Sequence, residues 1–264
     1  MAVVTFLSAK GSPGVTTTAL LCAALWPRPA VLVEADPAGG DLLARVPAAD
    51  GSVLDADHGL LPLLTTARRG LSAAQVLEQT QLVAGGSRVV VGLAGSEQAQ
   101  AAGSGWSALA RALREVSREH DVLVDAGRVG ADPVHLDLLR ASDVVTLVVR
   151  AQVSAVLHAR ERLRVLSGAL RRPDGLLPRT GVVVVGDLRR HAREVADATG
   201  LLSAVGDWVD DFGALPLDPA GAAVFDGART SRPERTALVR SGRALVADLV
   251  AASTGAAGTG RSAA

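Results

Sequence analysis

The sequence predicts an α/β fold: a doubly wound, mostly parallel sheet with helices on both faces. Three observations carry that expectation. Short β-branched runs alternate with longer amphipathic ones along the 264 residues. Most of the short runs are apolar throughout, the pattern of strands covered on both faces. The first of them is joined to the first helical run through a glycine-rich loop, which turns backbone N–H groups and a helix N-terminus toward an anion.

In chain order, Val3–Leu7 reads as the first strand and Thr16–Trp26 as an apolar helix. A second strand, Ala30–Glu34, is followed by short helices over Leu60–Thr66 and Ser72–Glu78. Then come a strand over Arg88–Leu93, a helix over Trp106–Glu119 and a strand over Val122–Asp125. The helix Val134–Arg140, strand Val144–Val149, helix Ser154–Leu170, strand Gly181–Val185 and helix Arg190–Thr199 continue the alternation. A last helix, Thr236–Ala251, places Leu238, Val239, Leu245, Val246, Leu249 and Val250 on one broad stripe expected to pack on the core. One domain over residues 1–251 is expected, with 252–264, mostly Gly, Ala, Ser and Thr, as a disordered tail.

Composition narrows the function. Hydrophobic residues make up 48% and the mean hydropathy is +0.30, enough for a sizeable core. Net charge is zero, so no global basic field draws nucleic acid. The single cysteine, Cys22, rules out an internal disulfide. No secretory signal and no stretch of about 18 uncharged apolar residues is visible, which points to a cytoplasmic protein with no membrane anchor. His58, His120, His135, His158 and His191 show no metal-ligand spacing. Trp26, Trp106 and Trp208 read as packing residues.

Ligands in such sheets bind beyond the carboxyl ends of the strands. Three of these ends carry suitable chemistry. The first is followed by Ser8-Ala9-Lys10-Gly11-Ser12-Pro13-Gly14-Val15-Thr16-Thr17. The second ends in Glu34 and Asp36, then Pro37-Ala38-Gly39-Gly40-Asp41. The Val122–Val124 run ends in Asp125, Gly127 and Arg128. Glu34 is equally well read as a strand-end cap, whereas turn or capping roles are the lesser readings for Asp36 and Asp125. Lys10 is the chain's one lysine, the other basic residues being arginine; retaining it suggests a need for a compact ammonium there.

Against the phosphate-loop pattern G-x-x-x-x-G-K-[ST], Gly14 and Thr16 match, Ala9 replaces the first glycine, and Val15 replaces the lysine. Thr16 would offer a hydroxyl to Mg²⁺, and Thr17 one to a phosphate oxygen. Pro13 has no N–H to give. The stretch resembles the deviant phosphate loop of the ParA/MinD family, K-G-G-x-G-K-[ST]. The resemblance implies that Lys10 reaches across a homodimer interface to the partner's nucleotide. It implies that Gly11, Ser12, Gly14, Val15, Thr16 and Thr17 cradle ATP or ADP, and that Thr16 and Asp125 hold Mg²⁺. Glu34-Ala35-Asp36 resembles the family's D-x-D, with Asp36 positioning the attacking water. Leu215-Pro216-Leu217-Asp218 resembles a late segment near the base, which makes Asp218 a cofactor-binding candidate. Ala126-Gly127-Arg128 and Gly186-Asp187 depart from the family's second switch and its adenine-reading asparagine. Within the family the variant most resembles atypical actinobacterial ParA-like proteins and the CpaE/TadZ branch that places pilus and secretion machinery.

The resulting expectation is a nucleotide-dependent dimerising switch with slow or absent hydrolysis, acting on an unidentified protein partner in machinery positioning or in chromosome or plasmid partitioning. The alternative is a pseudo-ATPase scaffold that no longer binds nucleotide. A weaker one is a partition ATPase that binds DNA without sequence preference. That requires Arg160, Arg162, Arg164, Arg189, Arg190, Arg193, Arg229, Arg232, Arg235, Arg240 and Arg243 to form a patch; interspersed acids favour solvated faces.

Overall fold

The computed structural model describes residues 1–187, 189, 192–228 and 231–255. Arg190, His191, Arg229 and the tail residues 256–264 lie outside them. The strands are β1 Val3–Ser8, β2 Ala30–Glu34, β3 Gln81–Leu82, β4 Arg88–Val90, β5 Asp121–Arg128, β6 Val144–Arg150, β7 Arg179–Gly186 and β8 Val209–Pro216. The helices are α1 Val15–Leu25, α2 Leu42–Arg45, α3 Leu60–Thr66, α4 Ala73–Glu78, α5 Ser96–Ala101, α6 Gly105–Val116, α7 Leu136–Ala141, α8 Val153–Ala169, α9 Ala192–Ser203, α10 Pro219–Ala223 and α11 Ala237–Gly255.

The strands form one eight-stranded sheet in the order β3-β4-β2-β5-β1-β6-β7-β8. Every pairing is parallel except β3 with β4. The doubly wound, mostly parallel sheet expected from the alternation is therefore present. Strand pleating separates two cores. Val3 and Leu7 of β1 join a cluster with α3, α4 and α6 to α9, while Val4 and Phe6 join one with α1, α2 and α11. Both faces are covered, which is why β1, β5 and β7 are buried along almost their whole length.

Two strands are absent from the sequence expectation, and both are edges. β3 has two residues. β8 carries Asp210 and Asp211, and Arg179 closes on Asp210 at 2.6 Å. An edge strand needs less apolar surface, so its pattern is weak. The helices α2, α5 and α10 are four to six residues long and give too little periodicity to read. The last helix extends beyond its expected end at Ala251: α11 runs to Gly255, with Ala252 and Ser253 buried, because its apolar stripe continues onto the sheet.

α1 and α11 lie close together. A Cβ on Gly242 of α11 would sit 2.7 Å from Cδ2 of Leu21, which is itself fully buried. This contact backs the helix that follows the glycine loop. Among the described residues no helix is long and apolar enough to cross a membrane.

Candidate functional site

The three strand ends singled out in the sequence belong to β2, β5 and β1, which are consecutive in the sheet. Their carboxyl ends therefore form one continuous rim. Phe6 of β1 and Glu34 of β2 are both register partners of Asp125, so Asp125 sits at the middle of it.

From β1 the chain enters the loop through Ala9. Gly11 at φ +66° and Gly14 at φ +99° adopt left-handed backbone that a side chain would strain. Gly14 immediately precedes α1, which has no side-chain cap at its N-terminus and no acidic residue in its first turn. Thr18 spends both its N–H and its hydroxyl on the Gly14 carbonyl, at 2.9 and 2.8 Å. The first N–H groups of α1 are left for an anionic acceptor. Pro13 is buried and Ser12 exposed.

Val15 does not point at this cradle. It is 6% exposed and packs in the apolar cluster of Val4, Phe6 and Leu20, leaving only its backbone N–H available to a ligand. Lys10 is exposed, with Nζ 3.1 Å from Nε2 of His158 on α8. It therefore lies over the β6 side of the rim.

Asp125 is 1% exposed. Its Oδ1 accepts the Gly127 N–H at 3.0 Å, while the buried Oδ2 has no hydrogen-bond partner among the described residues. Burial pushes the carboxyl up to about 6, opposed by the nearby Thr16 hydroxyl and the Gly127 N–H and reinforced by Asp36 and Asp41. A buried carboxylate oxygen without a donor, beside a threonine hydroxyl and an uncapped helix, fits a hard cation such as Mg²⁺ shared with phosphate.

Glu34 acts as an organiser. Its Oε1 accepts the N–H groups of Asp41 at 2.7 Å and Leu42 at 2.9 Å, and Oε2 accepts that of Gly92 at 2.8 Å. It caps the start of α2, a helix and not a strand end, and ties it to the end of β4. A Cβ on Gly92 would meet Glu34 Oε2 at 2.9 Å, and one on Gly40 would overlap the same carboxylate. Burial raises the Glu34 carboxyl to about 7 despite these donors, with the Asp125 charge adding to the rise.

Asp36 accepts the Ala38 N–H on Oδ1 at 2.8 Å, and the backbone of Arg128 also donates to it. A Cβ on Gly127, at φ +58°, would overlap this carboxylate. The Asp36 loop is thus docked on the extension of β5. Burial raises its proton affinity, and Asp41 adds to the effect.

Asp218 caps two helices. Its Oδ1 accepts the Gly221 N–H at 2.9 Å at the start of α10, and Oδ2 accepts that of Leu238 at 3.1 Å in α11. Burial would raise its carboxyl, but the N–H groups of Gly221, Leu238 and Ala237, with the charge of Arg189, hold it below the usual range. Gly186, where the resemblance leads one to expect a route to asparagine, is required by packing: its Cβ would lie 2.6 Å from Cγ2 of Val195 on α9.

The fold adds residues that the sequence did not single out. Arg45, at the end of α2, reaches Thr17 with Nη2 3.4 Å from Oγ1. His135 is fully buried behind Asp125, with Nε2 3.2 Å from the Ala126 carbonyl. Neither had a readable signal: α2 is too short to be seen, and a lone histidine is not distinctive.

No protein-family model and no curated protein matches the sequence. Solved structures do match in fold. The ParA family ATPase from Chlorobium tepidum TLS is 17% identical, with 93% of this chain and 98% of that chain covered at a TM-score of 0.70. The septum site-determining protein MinD complexed with Mg-ADP, from Pyrococcus horikoshii OT3, is 18% identical over 94% and 95% at 0.66. The McdA(D38A)-ATP complex from Cyanothece is 14% identical over 97% and 95% at 0.63. The chain has the P-loop α/β fold of the ParA/MinD ATPases.

Proposed function

We propose that this protein is a ParA/MinD-like switch that binds Mg²⁺·ATP between two copies of itself and turns over slowly or not at all. The observation that carries the reading is the Asp125 carboxylate, buried with one oxygen unpartnered among the described residues, beside Thr16 at the uncapped start of α1. The MinD and McdA structures of the same fold, described as Mg-ADP and ATP complexes, support the same ligand class.

Backbone N–H groups from Gly11 to Thr16, including those of Ser12, Gly14 and Val15, hold phosphate oxygens, and the Thr17 hydroxyl adds another donor. Thr16 and Asp125 would hold Mg²⁺, which when bound would neutralise phosphate charge. Lys10 contributes across the dimer, leaving His158 to do so. Asp36 orients water only after its loop leaves Gly127 and Arg128. Asp218 acts at the base through the turn it fixes. Charge stabilisation carries most of phosphoryl transfer, so a buried valine at position 15 predicts weak turnover.

Exposed apolar side chains support a closing face on the same rim. Val134 follows β5, and Val153 and Leu157 open α8 beside Lys10, at 44%, 80% and 58% exposure. Closure and release would present or withdraw a surface for a protein partner, in machinery positioning or partitioning.

A second reading is favoured by Val15 packing into the core: a scaffold that has kept the fold and lost the nucleotide. Calorimetric titration with Mg²⁺·ATP separates the two, run beside Lys10→Ala and with sedimentation to read association. The switch predicts saturable binding, dimer formation with nucleotide and loss of that dimer in Lys10→Ala. An absence of binding up to millimolar ATP selects the scaffold.

A further inference from the structure

A phosphate loop with valine at its lysine position needs its cation from elsewhere in the chain. Lys10 is directed toward α8. On the other side of the loop, over the first turn of α1, lies a second cation. We infer that Arg45 supplies the missing positive charge in cis to a nucleotide phosphate bound at that turn, and that Asp226 holds it in reserve. The inference rests on the nucleotide-binding reading above.

Arg45 Nη2 is 3.4 Å from Thr17 Oγ1, the hydroxyl assigned to a phosphate oxygen. The same guanidinium closes on one carboxylate oxygen of Asp226, with Nε at 2.8 Å and Nη2 at 2.7 Å from Oδ1. The position of Arg45 is fixed from within. Leu42, one turn earlier, is fully buried, and the α2 N-terminus is pinned by Glu34, the register partner of Asp125. A ligand held by Asp125 and Thr16 would therefore meet Arg45 from a rigidly connected element.

The hold by Asp226 is of the kind a phosphate can displace. The arginine side chain is 27% exposed and the aspartate 43%, and ion pairs at such exposure are weak. A guanidinium offers five donors in a planar fork that suits phosphate oxygens, and those charge-assisted bonds are stronger. Asp226 lies just beyond α10, in the segment after β8, and a Cβ on neighbouring Gly227 would be 3.2 Å from Pro47. Transfer of Arg45 from Asp226 to phosphate would thus free a contact between the α2 end and the segment beyond β8. Nucleotide occupancy would be reported there without any covalent step.

The test is calorimetric titration of Mg²⁺·ATP and Mg²⁺·ADP into wild type, Arg45→Gln, Arg45→Lys and Asp226→Asn, each checked by thermal unfolding. Arg45→Gln should bind at least about tenfold more weakly, Arg45→Lys should fall between it and wild type because an ammonium keeps the charge and loses the planar fork, and Asp226→Asn should bind severalfold more tightly because its competitor is gone. Wild-type affinity in Arg45→Gln overturns the inference while leaving the nucleotide reading intact. A parallel loss in Arg45→Gln and Asp226→Asn also overturns it, since the pair would then be only a strut. No saturable binding by wild type overturns the nucleotide reading and this inference together.

Discussion

Glu34 and Asp125 are register partners on adjacent strands, both about 1% exposed, and among the described residues neither forms an ion pair. Each is held above its ordinary range, Glu34 at about 7 and Asp125 at about 6. An acid whose pKa rises on folding stabilises the folded state below its unfolded value, and that contribution is lost as pH climbs through the folded value. His135 works the other way: burial depresses it to about 4, so its contribution is complete once pH exceeds its ordinary value of 6.5. Above that point the carboxylates govern the slope. Without Mg²⁺ or nucleotide, urea unfolding should lose about 1 kcal/mol between roughly pH 6.5 and pH 8. Glu34→Gln should be less stable throughout, because its amide would face the Gly92 N–H, yet should flatten that slope. A wild-type protein equally stable across the window would contradict the assignment.

At the scale of elements, the site depends on how firmly α1 is backed. Its N-terminal turn would meet the proposed nucleotide, and its far face meets α11 at Gly242 and Leu21. A larger residue there must displace a fully buried leucine or separate the helices. Gly242→Val should cost about 1–3 kcal/mol in a denaturant titration. It should also weaken Mg²⁺·ATP binding, because the glycine loop is carried on the displaced helix. Full stability would mean that the helix pair is looser than the packing indicates. Elements also divide what could be read from sequence. The central strands and the long helices were legible because both-face burial and a broad apolar stripe leave strong patterns. The edge strands β3 and β8 and the four-residue α2 were not, because their stability comes from neighbours. For α2 that neighbour is Glu34, capping it from a strand that precedes it in sequence.

At the scale of the molecule, the site lies open at one rim of the sheet. Lys10, Val134, Val153 and Leu157 all follow the carboxyl ends of β1, β5 and β6, where the proposed second copy would close over it. Sedimentation should show nucleotide-promoted dimers whose formation is reduced at least about tenfold by Val153→Asp, since a charge at a closing apolar contact must be desolvated. Monomeric Mg²⁺·ATP affinity should be kept in that variant. Undiminished dimers in Val153→Asp would place the closing face elsewhere.

The sequence by itself determined the layered fold and the convergence of Lys10, Asp36, Thr16 and Asp125 on one rim. Those follow from local patterning and from the rule that ligands gather at the carboxyl ends of parallel strands. Only the tertiary structure decided what the side chains do there. It turned Val15 into the core and left Asp125 Oδ2 without a hydrogen-bond partner among the described residues. It bound Asp36 to the end of β5, gave Asp218 to two helix caps, and brought Arg45 to Thr17 and Asp226. Such contacts join residues up to 181 positions apart, and their geometry comes from packing, which no local pattern encodes.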